Sequence, residues 1–208
     1  MSTEHPMKTP PPRIDISLVP AAAAPDGGLV GEIADLVNRV YAVAEAGLWV
    51  DGALRTTAAE MAQLVADGEI AVARSDGRLV GGVRIQLLDG GVGEFGMLVA
   101  APDRRGEGIG RELIGFAEGL SRGRGCTVMQ LELLVPRAWT HPTKEFLHAW
   151  YTRIGYRPVR SGAIDESYPH LAPLLATPCA FVIYHKRLAG DGRPTVLTPH
   201  TASVRASH

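Results

Sequence analysis

The chain has 208 residues, enough for one domain with a sizeable core and some tail. Its 46% hydrophobic and 21% charged content reads as globular, and a net charge of −1 argues against a general nucleic-acid binder. Cys126 and Cys179 have neither metal-site spacing nor the density of a disulfide scaffold, and no run approaches the roughly 18 apolar residues of a membrane helix, so a cytoplasmic protein with no membrane partner is expected.

Residues 1–12 hold four prolines and no apolar core; they read as a disordered segment, not a signal peptide. Ile14, Ile16 and Leu18 alternate with polar residues, the period of a half-buried strand. Over 29–48, Ile33, Leu36, Val37, Val40, Tyr41 and Ala44 recur at helical spacing, and Gly47 is expected to end that helix. Thr57 before Glu60 is a capping-box signature for a helix that closes at Asp67-Gly68. A strand over 70–73, a hairpin turn at Asp76-Gly77 and a returning strand over 79–88 follow. Asp89-Gly90-Gly91 makes the next turn and 92–101 the next strand, so the three strands form an antiparallel meander.

A helix over about 109–122 and a strand over 126–135 come next. Strand, helix, strand suggests a parallel pair with a right-handed crossover. Residues 143–154 are predicted helical, with Phe146, Leu147, Trp150 and Ile154 apolar and Gly155 ending the helix. A short strand starts at 156–159, 164–178 is irregular, and 180–188 is the last strand. Residues 190–208 are polar and lack periodicity, as a tail does. The sum is an α/β (α+β) domain over 13–189, with a mixed, mostly antiparallel sheet of about seven strands and about four helices.

The stretch with most chemistry is Arg105-Gly106-Glu107-Gly108-Ile109-Gly110, between a strand and a helix. Three glycines in five positions let the backbone turn tightly and keep side chains off the N–H groups. The first turn of a helix adds unpaired N–H donors and the positive end of the dipole, which together suit phosphate. The spacing is neither G-x-G-x-x-G nor G-x-x-x-x-G-K-[ST]. It reads R-x-x-G-x-G on Arg105, Gly108 and Gly110. Downstream, Trp150-Tyr151-Thr152-Arg153-Ile154-Gly155-Tyr156 is similar to an F-Y-x-x-x-G-F segment. In this order the two motifs resemble the GCN5-related N-acetyltransferases, the GNAT superfamily.

That resemblance implies a splayed parallel strand pair, acetyl-CoA as co-substrate, no metal, and acetyl transfer to a primary amine by direct attack. It implies that the loop Arg105, Gly106, Glu107, Gly108, Ile109, Gly110 and Arg111 holds the pyrophosphate, with Arg104 as further charge. Leu98, Val99 and Ala100 then carry a bulge whose freed backbone groups pair with the pantetheine arm and polarise the thioester carbonyl. Tyr151 matches the tyrosine that contacts the sulfur and protonates the leaving thiolate. Glu94, eleven residues before Arg105, is the expected base, with Glu132 and Glu45 as competitors. Glu45, Trp49, Glu132, Trp139 and His141 are the expected acceptor contacts. Lys144 stands where the family often has an asparagine, which removes the usual side-chain contact to the arm. His148 is expected at the surface, and Cys126 to be inert. The expected acceptor is a small-molecule amine. A protein lysine or N-terminus, and a non-catalytic CoA-binding or regulatory module, are the alternatives; a homodimer is left open.

Overall fold

The computed structural model describes residues 13–166, 168–169 and 171–188; the expected leading segment and tail lie outside them. The chain runs β1 (Ile14–Leu18), α1 (Gly27–Ala44), α2 (Ala58–Ala66), β2 (Ile70–Ser75), β3 (Arg78–Leu88), β4 (Val92–Ala100), α3 (Ile109–Gly123), β5 (Val128–Pro136), α4 (Pro142–Arg153), β6 (Arg157–Gly162) and β7 (Cys179–Arg187). The strands form one sheet in the order β1-β2-β3-β4-β5-β7-β6, and β4 with β5 is its parallel pair. No helix among the described residues is long and apolar enough to cross a membrane.

Local chemistry sets the element ends. The Asp26 carboxylate accepts hydrogen bonds from the amides of Gly28 and Leu29 at 3.0 and 3.1 Å and opens α1. That helix stops at Ala44, and Gly47, with φ +80°, lies in the turn beyond rather than at the helix end. Thr57 and Glu60 form a reciprocal capping box that opens α2. Asp76 and Gly77 have φ of +51° and +78°, as a two-residue hairpin turn between right-twisted strands requires.

The sheet is covered on both faces. Ile70 and Val72 of β2 pack with Ile33, Met61 and Val65 of α1 and α2, whereas Ala71 and Ala73 pack with Leu113 and Ala117 of α3. This alternation of neighbours is the period of two that a strand imposes. Helix α3 lies so close to β3 that a Cβ at Gly81 would sit 2.7 Å from Ile109 Cγ2. In helix α4, Leu147, Trp150 and Ile154 pack against the core as expected, but Phe146 is 53% exposed, and the buried positions are Tyr151 and Lys144.

Strand β4 is irregular along both edges. Its pairing with β5 spans only Val92–Glu94 against Val128–Gln130, after which the two strands diverge. On its other side, Gly82 of β3 pairs with Val99 and Arg84 with Gly96, so β4 carries one extra residue. Met97 sits there with φ +47°. A non-glycine residue held in the left-handed region costs about 1–3 kcal/mol, and such strain gathers where function needs a backbone re-aimed.

Candidate active site

Strand β4 ends in a short 3-10 turn, Pro102–Arg104, and the glycine loop leads from it into α3. Gly106 and Gly108 have φ of +90° and +83°, conformations that L side chains rarely adopt. Gly108 is the N-cap of α3 and supplies no side chain to bond the helix amides. Within the loop, Glu107 N donates to Arg104 O, but among the described residues no protein group accepts from the amides of Arg105, Gly106, Gly108, Ile109 or Gly110. These donors converge at the positive end of a helix dipole and form an anion cradle. Arg104 does not add free charge here. Its guanidinium is 3.0 Å from the Glu107 carboxylate and donates to Ser75 Oγ at 3.0 Å, so it braces the loop against β2. Arg105 and Arg111 are exposed.

A cleft of about 420 Å³ follows the gap between β4 and β5. It starts at Arg105 and Gly110, passes Leu98, Val99 and Ala100, and ends at Tyr151, Glu132 and Glu45. Over this length the edge of β4 that faces β5 has no strand partner. The two sequence motifs meet at its wall, since a Cβ at Gly110 would sit 3.2 Å from Trp150 Cη2. Tyr151 is 6% exposed and lines the cleft; no group among the described residues pairs with its hydroxyl. Burial pushes its pKa far up, aided by Tyr41 and Tyr184, so the phenol keeps its proton and can donate a hydrogen bond into the cleft.

The far end of the cleft opens into a chamber of about 100 Å³ lined by Tyr41, Glu45, Trp49, Arg55, Arg84, Glu94, Glu132 and Tyr168. Its three carboxylates stand in different settings. Glu45 forms a buried ion pair with Lys144 and accepts from Trp49 Nε1 at 2.6 Å. Glu94 is 7% exposed and has both oxygens occupied, one by Gln86 Nε2 at 2.7 Å and the other by Gln130 Nε2 at 2.5 Å. Burial raises its pKa, and those two amide donors oppose the rise. Glu132 accepts from the Tyr168 hydroxyl at 2.8 Å. Burial, then the charge of Glu94, raises its pKa to about 7, while Tyr168, Arg55 and Arg160 restrain it. A carboxylate balanced near neutrality can take up a proton and release it again, so Glu132 is better tuned for base work than Glu94.

The structure brings Glu45, Trp49, Glu94 and Glu132 together, but not the two residues expected from the long loop before α4. His141 is buried and caps α4, its Nδ1 accepting from Thr143 N at 3.2 Å. Trp139 stacks on His141 at 5.2 Å, and neither lines the cleft or the chamber. Exposed His148 meets Tyr184 Oη at 2.8 Å through Nδ1. Cys126 and Cys179 are buried free thiols with pKa values raised by burial. Sequence reasoning missed Arg55, Arg84 and Tyr168 as chamber residues; no spacing signal marks them, because separate segments bring them together.

The sequence profile of the Acetyltransferase (GNAT) family matches residues 33–156, more than half of the chain. Among curated protein sequences none matches. An aminoglycoside 6'-N-acetyltransferase solved with coenzyme A superposes with a TM-score of 0.63 at 17% identity, over 86% of this chain and 99% of that one. The ribosomal-protein-S18-alanine N-acetyltransferase of Escherichia coli gives 0.60 at 15% identity, over 87% and 99%. N-acetylglutamate synthase from Neisseria gonorrhoeae, solved with coenzyme A and N-acetyl-glutamate, gives 0.59 at 16% identity over 85% of this chain, which spans only 35% of that protein. At these identities the likeness is one of fold. With the profile match over the glycine loop and Tyr151, it places the chain in the GNAT family of acetyltransferases.

Proposed function

We propose that this protein moves an acetyl group from acetyl-CoA to the primary amine of a small molecule. The observation that carries the reading is the continuity of the site. Unpaired loop amides lead along a strand edge without a partner to a buried phenol and to a carboxylate with a pKa of about 7. The amides of Arg105, Gly106, Gly108, Ile109 and Gly110 would hold the diphosphate, and Leu98 to Ala100 the pantetheine arm. Bound there, acetyl-CoA supplies an acyl group activated as a thioester.

The residues of the chain do the rest. An ammonium cannot attack a carbonyl, so Glu132 takes its proton. The neutral amine nitrogen then bonds to the acyl carbon as the carbon–sulfur bond breaks. Tyr151, which burial keeps protonated, donates a hydrogen bond to the departing sulfur, and the second proton, shed by the nitrogen as it becomes an amide, ends on the thiol. Holding both reactants in one cleft contributes much of the rate through orientation. Coenzyme A in the solved GNAT relatives supports the donor, and the chamber of about 100 Å³ supports a small acceptor over a folded protein surface.

The test is thiol release from acetyl-CoA with a panel of primary amines between pH 5.5 and 9. We expect amine-dependent release whose kcat/KM rises with pH through about 7. Clear CoA binding with no amine-dependent release would leave a binding module instead of an enzyme.

A further inference from the structure

Arg55 lies where the inner chamber meets a second, more open one of about 380 Å³. Both chambers are lined by Tyr41, Glu45, Trp49, Arg55 and Leu171. The other guanidinium of the inner chamber, Arg84, is engaged by Glu69 at 2.7 Å. Arg55 forms no ion pair among the described residues; its guanidinium lies 5.3 Å from the centre of the Tyr41 ring. The three chamber carboxylates are held by other groups: Glu45 by Lys144 and Trp49, Glu94 by two glutamines, Glu132 by Tyr168.

The backbone fixes Arg55 in place. Asn38 Oδ1 accepts from the amides of Arg55 and Thr56 at 2.9 and 3.1 Å, and Asn38 Nδ2 donates to Thr56 O at 2.9 Å. A single α1 side chain thus clasps the segment that presents the guanidinium. Glu45 and Glu132 act on Arg55 from across the chamber but form no ion pair with it, so its guanidinium fork is open to a ligand. A guanidinium fork matches a carboxylate in a bidentate geometry. A phosphate dianion fits less well, because Glu94 and Glu132 stand in the same chamber and would repel it.

We infer that the acceptor is an amino acid, whose carboxylate is bound by Arg55 at the junction of the two chambers while its amine points inward to Glu132. The side chain of the acceptor then occupies the more open chamber, where Ala42, Gly47, Val50 and Leu174 line the space. This rests on the transferase reading and adds the class of acceptor to it.

The experiment compares each α-amino acid with its carboxamide and its decarboxylated amine, by kcat/KM from thiol release and by calorimetry on the CoA-loaded protein. A charged hydrogen-bonded contact predicts a preference for the carboxylate member of roughly 10- to 100-fold. Arg55→Gln should bring the ratio close to one, and Arg55→Lys should keep part of it; a purely structural role would lower all three members alike. Equal treatment of the three forms, preference for an uncharged form, a ratio that Arg55→Gln leaves unmoved, or no binding by any amino acid overturns the inference. Turnover of uncharged amines with no carboxylate preference would leave the transferase intact and remove only the acceptor class. Preferential binding of amino acids without turnover would support the acceptor class and remove the reaction.

Discussion

Glu132→Gln should weaken the enzyme and strengthen the fold, and the two effects should share one pH window. The carboxyl rises from an ordinary 4.5 to about 7 on folding, so it binds its proton more tightly in the native state than in the unfolded chain. The stability it contributes is complete below about pH 4.5 and is lost as pH rises through about 7. Full conversion of that rise gives a ceiling of about 3 kcal/mol, and residual solvent contact should screen it to about 1–2 kcal/mol. The amide of Gln keeps an oxygen for the Tyr168 hydroxyl but has no charge to desolvate. Urea unfolding of both proteins at pH 4.5 and 8.5 should show near-equal stability at the lower pH and the variant ahead by about 1–2 kcal/mol at the higher. In the same variant the rising limb of kcat/KM should vanish, with a loss on the order of 100-fold. A stability difference that is flat across this range would refute the assignment of the raised pKa to Glu132, and an intact limb would remove it as the base.

Other substitutions probe the rest of the site. Gly108→Trp puts a side chain at φ +83° over the loop amides; CoA affinity by calorimetry should fall on the order of 100-fold, and unchanged affinity would discard the anion cradle. Tyr151→Phe should lower kcat about 10- to 100-fold with little change in the KM for acetyl-CoA, and should leave the unfolding midpoint nearly unmoved because the hydroxyl pairs with no group among the described residues. Lys144→Met strands the Glu45 carboxylate, 9% exposed, and should cost about 3–5 kcal/mol in denaturant unfolding; adding Glu45→Gln should recover most of that.

The parts legible in the sequence are those set by local chemistry. The capping box at Thr57 and Glu60, the Asp76-Gly77 turn and the glycine loop are each specified by residues within a few positions of one another. Strand alternation and helical period placed all seven strands and four helices, with no end displaced by more than four residues. In helix α4, Leu147, Trp150 and Ile154 pack on the core as the sequence suggests, but Phe146 is exposed and Lys144 is buried through an ion pair with a glutamate 99 positions away. His141 drew attention as a functional histidine but replaces the usual cap residue types at a helix start. The chamber was only partly visible. Its walls come from α1, the loop after it, the middle of the sheet and the irregular stretch before β7, so Arg55 and Tyr168 become neighbours only in the fold.

The divided strands β4 and β5 resemble the tines of a tuning fork. They join at three residue pairs, and each tine is backed along its outer side by an antiparallel neighbour, β3 for one and β7, with nine pairs, for the other. Neither tine has to release a partner before a thioester arm enters, and neither can spring back to close the slot when the arm leaves. Loading should therefore leave the sheet backbone where it stands, and amide exchange in β3 and β7 should be equally slow with and without CoA.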